Sequence, residues 1–531
     1  MTLPEADSGA DSASAPLARL AALVGSENVI AGAEREFYAT DVYRRMELPL
    51  AVVRPGTIDE LRHVVAAAYA ENIALIPRGG GASYTAGYLA TTPRSIVLDA
   101  GRLNWIVEIN RQDMYVTVEP GVTWARLDAA LAAVGLRVPF RGPFSGLAAT
   151  VGGSMSQNTL GLGTNTWGVS GESVLAMEIV SGDGRIVRTG QSGSHLGVPF
   201  FRYYGPDLTG LFNGDCGALG FKSRITLKLM KRRQHFGCLS FGFASFEAAH
   251  AAISETAGYV IEEKVFALDT ALQQGQIGKS SALGAQMEIA GRVMGAARTW
   301  LSGLRQVVAM GLAGTKALNA MPYAAHYIFE GLSAGEVDGK AALLRSIGTR
   351  HGVEIPNSVP HVVYATPFAP LHNILGPAGE RWVPLHGIIP SSTVVAFHRD
   401  VDRCLDAHRE SMLDASIYVG RIFSSLGAGA FLYEPAIYWK DEQTIYHRTM
   451  LDPAYQASLP KYPLNPAAAT LVRTIRTELM ELFHRYGAGH LQVGKQYPYL
   501  RDRDPGAVAL LKAIKAELDP KGLINPGALG L

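Results

Sequence analysis

The stretch IPRGGGASYTAGY, residues 76–88, places three consecutive glycines, Gly79 to Gly81, directly after an arginine, Arg78. Glycine loses more backbone freedom on folding than other residues, so such a run indicates a tight turn or a group that approaches the backbone closely. The preceding residues, ALIPR, are typical of a β-strand. Successive N–H groups in a glycine-rich turn after a strand form a concave site for a phosphate. A purely structural turn remains the alternative, because the stretch matches neither the GxGxxG nor the GxxxxGK[ST] pattern.

Three further glycine-rich stretches favour a ligand. They are GLAATVGGSMSQNTLGLGTNTWG (146–168), GPDLTGLFNGDCGALGF (205–221) and DPKGLINPGALG (519–530). One large ligand that lies against several backbone surfaces explains all four stretches together.

Composition excludes some classes of function. The chain has 531 residues, which predicts two to four domains, and 48% of them are hydrophobic. Lys plus Arg number 48 and Asp plus Glu number 47, so the charge balance gives no argument for a nucleic-acid partner. No run of about 18 apolar residues predicts a membrane span.

The N-terminus and the cysteines indicate a reducing compartment. The N-terminus lacks a basic start followed by an apolar run, so we expect no secretory signal, and its first 15 residues are small and polar and predict disorder. Cys216, Cys238 and Cys404 have no metal-type spacing. We therefore expect a cytoplasmic protein.

Residues 50–230 alternate β-branched runs with alanine-rich helical patterns, which predicts an α+β fold. A helix is predicted after Thr57, with the apolar face Leu61, Val64, Val65 and Ala68. SVLAMEIVSGDGRIVRTG (173–190) predicts a hairpin, and GCLSFGFASFEAAHAAISE (237–255) predicts a strand and then a helix. HVVYATPFA (361–369) and AFLYEPAIYW (430–439) predict strands.

Taken in order, five segments resemble the flavin-dependent oxidoreductases of the vanillyl-alcohol oxidase / para-cresol methylhydroxylase superfamily. The segments are AVVRPGTIDELRHVVAAAYAENIALIPRGGGAS (51–83), VTVEPGVTWARLDAAL (116–131), ATVGGSMSQNTLG (149–161), DLTGLFNGDCGALGF (207–221) and DPKGLINPG (519–527). The fourth is similar to the form found in D-lactate and glycolate dehydrogenases.

The resemblance implies an α+β fold in which a two-part FAD-binding domain carries an α+β cap domain over the flavin. The predicted units are a disordered N-terminus (1–15), the FAD-binding domain (16–235), the cap or substrate domain (236–485) and a C-terminal segment that returns to the FAD-binding domain (486–531).

The resemblance also implies residues that bind FAD. They are Pro77, Arg78, Gly79, Gly80, Gly81, Ala82, Ser83, Pro120, Gly121, Thr150, Gly152, Gly153, Ser156, Gln157, Gly161, Gly217, Gly220, Phe221 and Asn525. Members that link the flavin to a histidine in the first loop carry His where this chain has Ala82, so that link is absent and non-covalent FAD is favoured. A covalent link through the cap domain at His386 stays open, beside a hydrogen-bonded role for that histidine.

Tyr84 follows the first loop and favours an aromatic substrate. In the aromatic-alcohol branch of the family a tyrosine near this position faces the substrate, whereas the hydroxy-acid branch has an aliphatic residue. A tyrosine packed at a turn is the alternative. The phenol oxidases also carry an Asp in the second glycine stretch, where this chain offers Gln157, Asn158 or Thr159. Their mechanism therefore does not transfer directly.

The stretch RYGAGHLQVGKQYPY, residues 485–499, occupies the place of the family's polar substrate residues. In a strand, His490 and Gln492 would share one face. An imidazole titrates near neutrality, so His490 is the first candidate for a proton acceptor, with a structural role as the alternative. Lys495 is a candidate for meeting a carboxylate or a phenolate.

The cap domain adds Arg421 and Glu434 to the candidate catalytic residues. Tyr433 and Glu434 are neighbours in a predicted strand, so at most one of them faces the pocket. The histidines of this region lack the spacing of a metal site, and no metal is predicted. They are His361, His372, His386 and His398.

Residues 289–322 form a basic apolar stretch with four cations and no acid. A basic amphipathic helix of this kind is typical of peripheral contact with the inner face of a membrane, which would suit electron delivery to a quinone. An ordinary cap helix or a subunit interface is the alternative. We expect a homo-oligomer such as a dimer.

Three functions stay open at this point. The first is an FAD-dependent alcohol oxidase or dehydrogenase that oxidises an aromatic, lignin-type phenolic alcohol in aromatic-compound catabolism, by hydride transfer to flavin N5. The second is a D-2-hydroxy acid dehydrogenase of the lactate or glycolate type. The third is a non-catalytic flavin-binding protein. The electron acceptor, whether O2, a cytochrome or a quinone, is not fixed by the sequence.

Overall fold

The computed structural model describes residues 11–273 and 321–531. The basic stretch 289–322 lies outside the described residues except for its last two positions, so its predicted membrane contact is not addressed. Helix α1 (Asp11–Val24) begins inside the segment expected to be disordered, and that expectation is wrong for residues 11–15. Leu20 and Val24 pack into the core beneath the first sheet, and this burial orders the helix.

The first unit is a four-stranded sheet in the order β1-β2-β4-β3. Strands β2, β3 and β4 are parallel, and β1 is antiparallel to β2. Their bounds are β1 (Val29–Ile30), β2 (Ala51–Val53), β3 (Ala74–Arg78) and β4 (Ser95–Asp99), with helices α2 (Arg35–Tyr38) and α3 (Ile58–Ala70).

Helix α3 confirms the helix predicted after Thr57. The Thr57 hydroxyl accepts the N–H of Glu60, which caps the first turn. The predicted apolar face is buried, so the helix covers the sheet and leads the chain into β3 and the glycine run.

The second unit is a five-stranded antiparallel sheet in the order β5-β6-β10-β8-β9. Its bounds are β5 (Ile106–Asn110), β6 (Tyr115–Val118), β8 (Val174–Val180), β9 (Ile186–Arg188) and β10 (Phe221–Lys228). A small ladder joins β7 (Leu136–Arg137) to β11 (Met230–Lys231). The helices here are α4 (Trp124–Ala132), α5 (Val151–Gln157) and α6 (Thr164–Trp167). The predicted hairpin is confirmed as β8 and β9.

The third unit is an eight-stranded sheet built between residues 235 and 439. Its order is β15-β12-β14-β13-β18-β19-β16, and β17 also pairs with β19. The bounds are β12 (His235–Phe243), β13 (Lys264–Asp269), β14 (Tyr323–Gly331), β15 (Val353–Glu354), β16 (Arg381–Pro384), β17 (Gly387–Pro390), β18 (Tyr418–Leu426) and β19 (Ala430–Trp439). Strand β19 confirms the strand predicted for AFLYEPAIYW.

The helices of the second half follow in chain order. They are α7 (Phe246–Ala257), α8 (Ala334–His351), α9 (Ser358–Ala365), α10 (Val394–Ala407), α11 (Arg409–Asp414), α12 (Ile445–Met450), α13 (Pro453–Ser458), α14 (Pro466–Arg485) and α15 (Pro505–Leu518). Short 3-10 turns lie at Ser26–Asn28, Ala100–Arg102, Ser170–Ser173, Gly190–Gly193, Thr209–Phe212, Leu371–Ile374 and Ala528–Gly530. Within the described ranges, no helix is both long and apolar enough to cross a bilayer.

The strand predicted for HVVYATPFA is wrong, because most of that stretch is helix α9. Tertiary contacts outweigh the β-propensity of the two valines. The Tyr364 ring stacks on Phe236 with 3.9 Å between centroids, and its hydroxyl donates to Glu330. The helical turn brings that side chain over the third sheet.

The C-terminal tail returns to the first sheet. Ile524 forms a parallel bridge with Leu75 of β3, and the amide of Asn525 donates to the Leu75 carbonyl. Lys515, in α15, donates to the carbonyls of Ala218 and Ile524. The first unit is therefore completed by residues from the far end of the chain, whereas the third sheet is built from the middle. The functional labels that the resemblance gives to these units stay predictions.

Candidate functional site

A cavity of about 370 Å³ lies where the glycine-rich loops meet the third sheet. Residues 78–83 and 150–161 form one side, which we call the glycine wall. Side chains of β13, β18 and β19 form another part of the lining, which we call the sheet wall. The cavity therefore combines a backbone surface and a side-chain surface in one lining.

In the first loop of the glycine wall, two carbonyls accept hydrogen bonds from tyrosines, whereas the described residues accept none from the loop's N–H groups. Tyr88 and Tyr446 both donate their hydroxyls to the carbonyl of Gly81, and Tyr88 also reaches that of Ser83. Within the described residues, none of the backbone N–H groups from Gly79 to Ser83 donates to another group of the chain. Buried N–H groups are rarely left unpaired, so this loop is arranged as a set of donors for an acceptor outside the chain.

Arg78 adds a buried positive charge behind this loop. Its side chain is 4% exposed, and its guanidinium lies 4.5–4.7 Å from the ring centroids of Phe37, Tyr38 and Tyr88. Among the described residues its Nη1 has no hydrogen-bond partner. An unpartnered guanidinium nitrogen beside a row of free amides suits the pyrophosphate of FAD.

The two glycine loops pack backbone to backbone. A Cβ built on Gly80 would lie far inside the contact distance of the Ala148 carbonyl, and one on Gly152 would lie 2.5 Å from the Cβ of Pro120. The Thr150 hydroxyl accepts the N–H of Gly153 and caps α5. Side chains at these glycines would push the loops apart, so the glycines serve close approach as well as the turn.

Most of the residues proposed to bind FAD line the cavity. The lining members are Pro77, Arg78, Gly79, Gly80, Gly81, Ala82, Ser83, Pro120, Thr150, Gly152, Gly153, Ser156, Gln157, Gly161, Gly220 and Phe221. The other three do not line it and support the loops instead. Gly121 donates to the Leu103 carbonyl, Gly217 packs its backbone against Pro77, and the Asn525 amide donates to the carbonyls of Gly87 and Cys216.

Three adjacent strands build the sheet wall. Strand β18 pairs with both β13 and β19, with Ile422 opposite Glu434 and Ser424 opposite Leu432. Alternate residues of each strand face the cavity. They are Lys264 and Phe266 on β13, Ile422 and Ser424 on β18, and Leu432, Glu434 and Tyr438 on β19.

The sequence prediction that Tyr433 and Glu434 face opposite ways is confirmed. Glu434 lines the cavity, whereas Tyr433 lies in the core beneath the sheet and donates its hydroxyl to His398 Nδ1 at 2.7 Å. Glu434 is therefore the partner of the pair that can meet a ligand.

Lys264 and Glu434 are charged groups in apolar surroundings. Burial raises the pKa of Glu434 to about 7, and the Lys264 charge works against that rise. Burial likewise lowers the pKa of Lys264 to about 8, and Glu434 works against that fall. Both groups can exchange a proton near neutral pH, which suits acid–base chemistry.

Tyr84, His386 and Gln492 form a polar cluster elsewhere on the lining. His386 Nε2 lies 2.6 Å from the Leu491 carbonyl, so that nitrogen carries the proton and Nδ1 is the acceptor. The Tyr84 hydroxyl lies 3.4 Å from this Nδ1 and 3.5 Å from the amide nitrogen of Gln492. Burial lowers the pKa of His386 to about 3, so the imidazole stays neutral.

The candidate base His490 does not line the cavity. Residues 489–492 do not form the strand that would have put His490 and Gln492 on one face, and Gln492 has a φ of 48°. His490 donates from Nδ1 to the His386 carbonyl and stacks on Tyr497 at 3.8 Å. Burial lowers its pKa to about 4. These contacts favour the structural role that the sequence left as the alternative for His490.

Lys495 and Arg421 also lie outside the cavity lining. Lys495 donates to the Leu89 carbonyl and to Asn525 Oδ1, each at 2.6 Å, so it ties the C-terminal tail to the first unit. Arg421 pairs with Asp402 at 2.6 Å. Neither cation lines the cavity, so the geometry gives no support to the catalytic roles predicted for them.

Sequence reasoning missed several residues of the sheet wall and its surroundings. Lys264, Phe266, Trp382 and Ser424 line the cavity and were not among the candidates. Lys264 offered one signal, because it is a cation at the start of the apolar run VFAL. Across the parts of the chain that the structure describes, no group of three His, Cys, Asp or Glu side chains is placed to hold a metal ion.

Two family models match separate parts of the chain. The family described as FAD binding domain matches residues 49–190, and the family described as FAD linked oxidases, C-terminal domain, matches residues 484–529. These ranges include the first glycine loop, the second glycine loop and the returning tail.

Curated relatives match over part of their length. The glycolate oxidase subunit GlcD of Bacillus subtilis is 30% identical over 217 residues, which are 41% of this chain and 44% of the relative. The D-2-hydroxyglutarate dehydrogenase of Stutzerimonas stutzeri is 28% identical over 200 residues, which are 38% of this chain and 41% of the relative. The chain thus matches about half or less of these relatives' length.

Solved structures match over nearly the whole chain. A 4-ethylphenol oxidase from Gulosibacter chungangensis has a TM-score of 0.71 at 18% identity, covering 100% of this chain and 99% of its own. A p-cresol methylhydroxylase has a TM-score of 0.73 at 16% identity, covering 98% and 97%. At these identities the likeness establishes the fold. The α+β fold, FAD as the cofactor and the resemblance to this flavoprotein superfamily are confirmed.

Proposed function

We propose that this chain, with its FAD-binding domain and the C-terminal domain of FAD-linked oxidases, is an oxidoreductase that oxidises an aromatic alcohol. The observation that carries the proposal is the sheet wall, in which aromatic and aliphatic side chains surround a single carboxylate, Glu434. FAD, when bound, supplies the acceptor for the hydride that leaves the substrate carbon.

The lining of the cavity supports an aromatic substrate. Phe266, Trp382 and Tyr438 offer ring faces and edges, and Tyr84 meets the Trp382 ring edge-on at 5.7 Å. Aromatic rings pack favourably in such offset and edge-to-face arrangements. The sheet wall would bind the ring of the substrate and exclude water from the reacting carbon.

Glu434 is our candidate for the proton acceptor. Among the described lining residues the only other carboxylate is Asp99, which accepts the Tyr38 hydroxyl near the first sheet. A carboxylate whose pKa is raised to about 7 is matched to taking a hydroxyl proton at neutral pH. Tyr84, held by His386 and Gln492, would orient the substrate.

A D-2-hydroxy acid is the second candidate substrate. The glycolate and hydroxyglutarate relatives favour it, and the Lys264 ammonium offers a cation to a carboxylate. Against it, the described lining holds one arginine, Arg78, which belongs to the glycine wall. A dedicated carboxylate site would be expected to use an arginine beside the substrate.

The test is anaerobic mixing of the purified, flavin-loaded protein with two panels, benzylic alcohols and D-2-hydroxy acids. We expect the benzylic alcohols to bleach the oxidised flavin absorbance and glycolate and D-lactate to leave it unchanged. Faster bleaching by the hydroxy acids would favour the second candidate. A protein that stays yellow with both panels would favour a non-catalytic flavin-binding role.

A further inference from the structure

Lys264 and Glu434 both reach the cavity from the sheet wall but do not contact each other. No ion pair of 4.0 Å or less joins them. Each still acts on the other electrostatically, since each opposes the pKa shift of its partner. The two opposite charges therefore border a common space without filling it.

The hydrogen bonds of these two groups are incomplete among the described residues. The Lys264 ammonium has three donors, and its one described contact is a long one, 3.4 Å to the Ser424 hydroxyl. That hydroxyl donates its own proton to the Val265 carbonyl at 2.6 Å, so it can only accept from Lys264. The Glu434 carboxylate accepts no hydrogen bond from any described residue.

An incompletely paired buried charge is unfavourable unless something completes its hydrogen bonds. The neighbours on the wall are apolar, namely Phe266, Ile422 and Leu432. A group that completes both must accept from an ammonium and donate to a carboxylate at one point. A hydroxyl is the smallest organic group that does both.

We propose that Lys264 and Glu434, with Ser424 beside them, hold one hydroxyl group of the substrate between them. We call these three residues the hydroxyl clamp. Lys264 donates to the substrate oxygen, and Glu434 accepts its proton. The inference rests on the proposed function for the identity of that group as an alcohol.

The clamp performs one balanced proton transfer. The O–H bond breaks, the proton passes to the Glu434 carboxylate, and the electron pair stays on the substrate oxygen. The Lys264 ammonium stabilises the negative charge that develops there. The clamp ends with a neutral carboxylic acid beside an ammonium that faces the anionic oxygen.

The test uses a ligand that cannot be oxidised. The probe is 2-phenyl-2-propanol, whose carbinol carbon carries no hydrogen, and its match is tert-butylbenzene, in which a methyl replaces the hydroxyl. Binding to the flavin-loaded protein is followed by perturbation of the flavin absorbance. The readout is the ratio of the two dissociation constants, because that ratio isolates the hydroxyl from the ring.

We expect Lys264→Met and Glu434→Gln each to reduce the preference for the alcohol by about 10-fold or more, as hydrogen bonds to charged groups are worth about that much. Binding of tert-butylbenzene should change little. The matched control, Lys440→Met on the exposed surface, should keep the wild-type ratio. An unchanged ratio in both clamp variants would overturn the proposal, and so would an equal loss of binding for both ligands, because it indicates packing alone.

The wild-type protein gives a second test that does not depend on a variant folding. The preference for the alcohol should fall as pH decreases below about 7, where Glu434 is protonated, and as pH increases above about 8, where Lys264 loses its charge. A preference that is constant from pH 5.5 to 9.5 would contradict the clamp.

Other titratable groups near the pair do not produce this bell-shaped dependence. Tyr84, Tyr438 and Tyr497 interact with Glu434, and burial raises the pKa of each of them further above the range. His386, on the same lining, has its pKa lowered to about 3. Among the described residues named here, Glu434 and Lys264 are therefore the groups that change protonation between pH 6 and 9.

The binding test and the alcohol panel can refute the clamp and the proposed oxidation independently of each other. If no alcohol reduces the flavin but the variants lose the preference for 2-phenyl-2-propanol, the clamp stands and the proposed oxidation is wrong. If benzylic alcohols reduce the flavin but the preference is unaffected by both variants, the oxidation stands and the clamp is wrong.

Discussion

The two walls of the cavity are built by different means. In the glycine wall, consecutive residues 79–83 offer their backbone N–H groups. The turn sets the direction of these groups, and tyrosine hydroxyls that donate to the Gly81 carbonyl hold the turn in place. The sheet wall offers side chains from β13, β18 and β19, strands that lie up to 175 residues apart. The comparison shows that each loop of the proposed cofactor surface is local in sequence, whereas the strands of the proposed substrate surface are not.

The difference has a physical origin. The pyrophosphate is the same in every molecule of FAD, and backbone amides can bind it without any side chain. A substrate varies, and side chains on a rigid sheet can change without disturbing the backbone ladder. Mutations in the two walls should therefore have different consequences, loss of cofactor on one side and loss of substrate chemistry on the other.

The largest effect is expected from Gly80→Val in the glycine wall. The branched side chain would collide with the Ala148 carbonyl and separate the two loops, so we expect the purified protein to lose bound FAD. The measurement is the ratio of flavin to protein absorbance after gel filtration, with circular dichroism to verify the fold. Gly429→Val is the matched control, because a Cβ there meets nothing within 4 Å. Full flavin retention in Gly80→Val would contradict the role assigned to this wall.

A smaller but specific effect is expected from Glu434→Gln in the sheet wall. Removing a general base slows the chemical step by about 10²–10⁴-fold, whereas the flavin content should be unchanged. The rate is measured as anaerobic flavin reduction by a benzylic alcohol. Glu354→Gln, in an exposed ion pair with Arg345, serves as the control. A loss below about 3-fold would show that the proton leaves by another path.

Tyr84→Phe removes a hydroxyl from the polar cluster that Tyr84 forms with His386 and Gln492, and it should have a modest effect on activity. The hydroxyl makes only long contacts, 3.4 Å to His386 and 3.5 Å to Gln492. We expect a loss of about 3–10-fold in kcat/KM for aromatic alcohols, as for one neutral hydrogen bond, with flavin content intact. Tyr203→Phe, on the exposed surface, should leave kcat/KM unchanged. Loss of flavin in Tyr84→Phe would instead assign Tyr84 to the cofactor side.

The smallest effect on activity is expected from His490→Asn. The asparagine amide can still donate to the His386 carbonyl, so the rate should stay within about 2-fold and stability should fall by about 1 kcal/mol. Turnover and thermal unfolding are compared with those of the wild type. A fall in rate of 100-fold would restore His490 as the proton acceptor and remove the distinction between supporting and reacting residues.

The sequence predicted the glycine wall well because its signals are local. Strand β3 is followed directly by the glycine run, as the sequence predicted, and Thr57 caps the predicted helix. The same locality explains the success with α3 and with the β8–β9 hairpin.

The sheet wall could not be predicted to the same extent. Lys264 and Glu434 border the same cavity only because β18 pairs with β13 on one side and with β19 on the other, and no local sequence pattern sets that strand order. His490 and Lys495 were chosen for their chemistry, but their side chains bond to the His386 and Leu89 carbonyls outside the cavity lining. Polar residue type alone therefore did not separate supporting residues from reacting ones.

The bridge between Leu75 and Ile524 also bears on how the protein is made. A ribosome delivers the strand partner of β3 some 450 residues after β3 itself. The middle sheet can assemble while synthesis continues, but the first sheet, which carries the first glycine loop, must wait for residues 519–525. We therefore expect nascent chains released before residue 519 to emerge without flavin, and cofactor capture to follow the synthesis of the segment that contains Ile524.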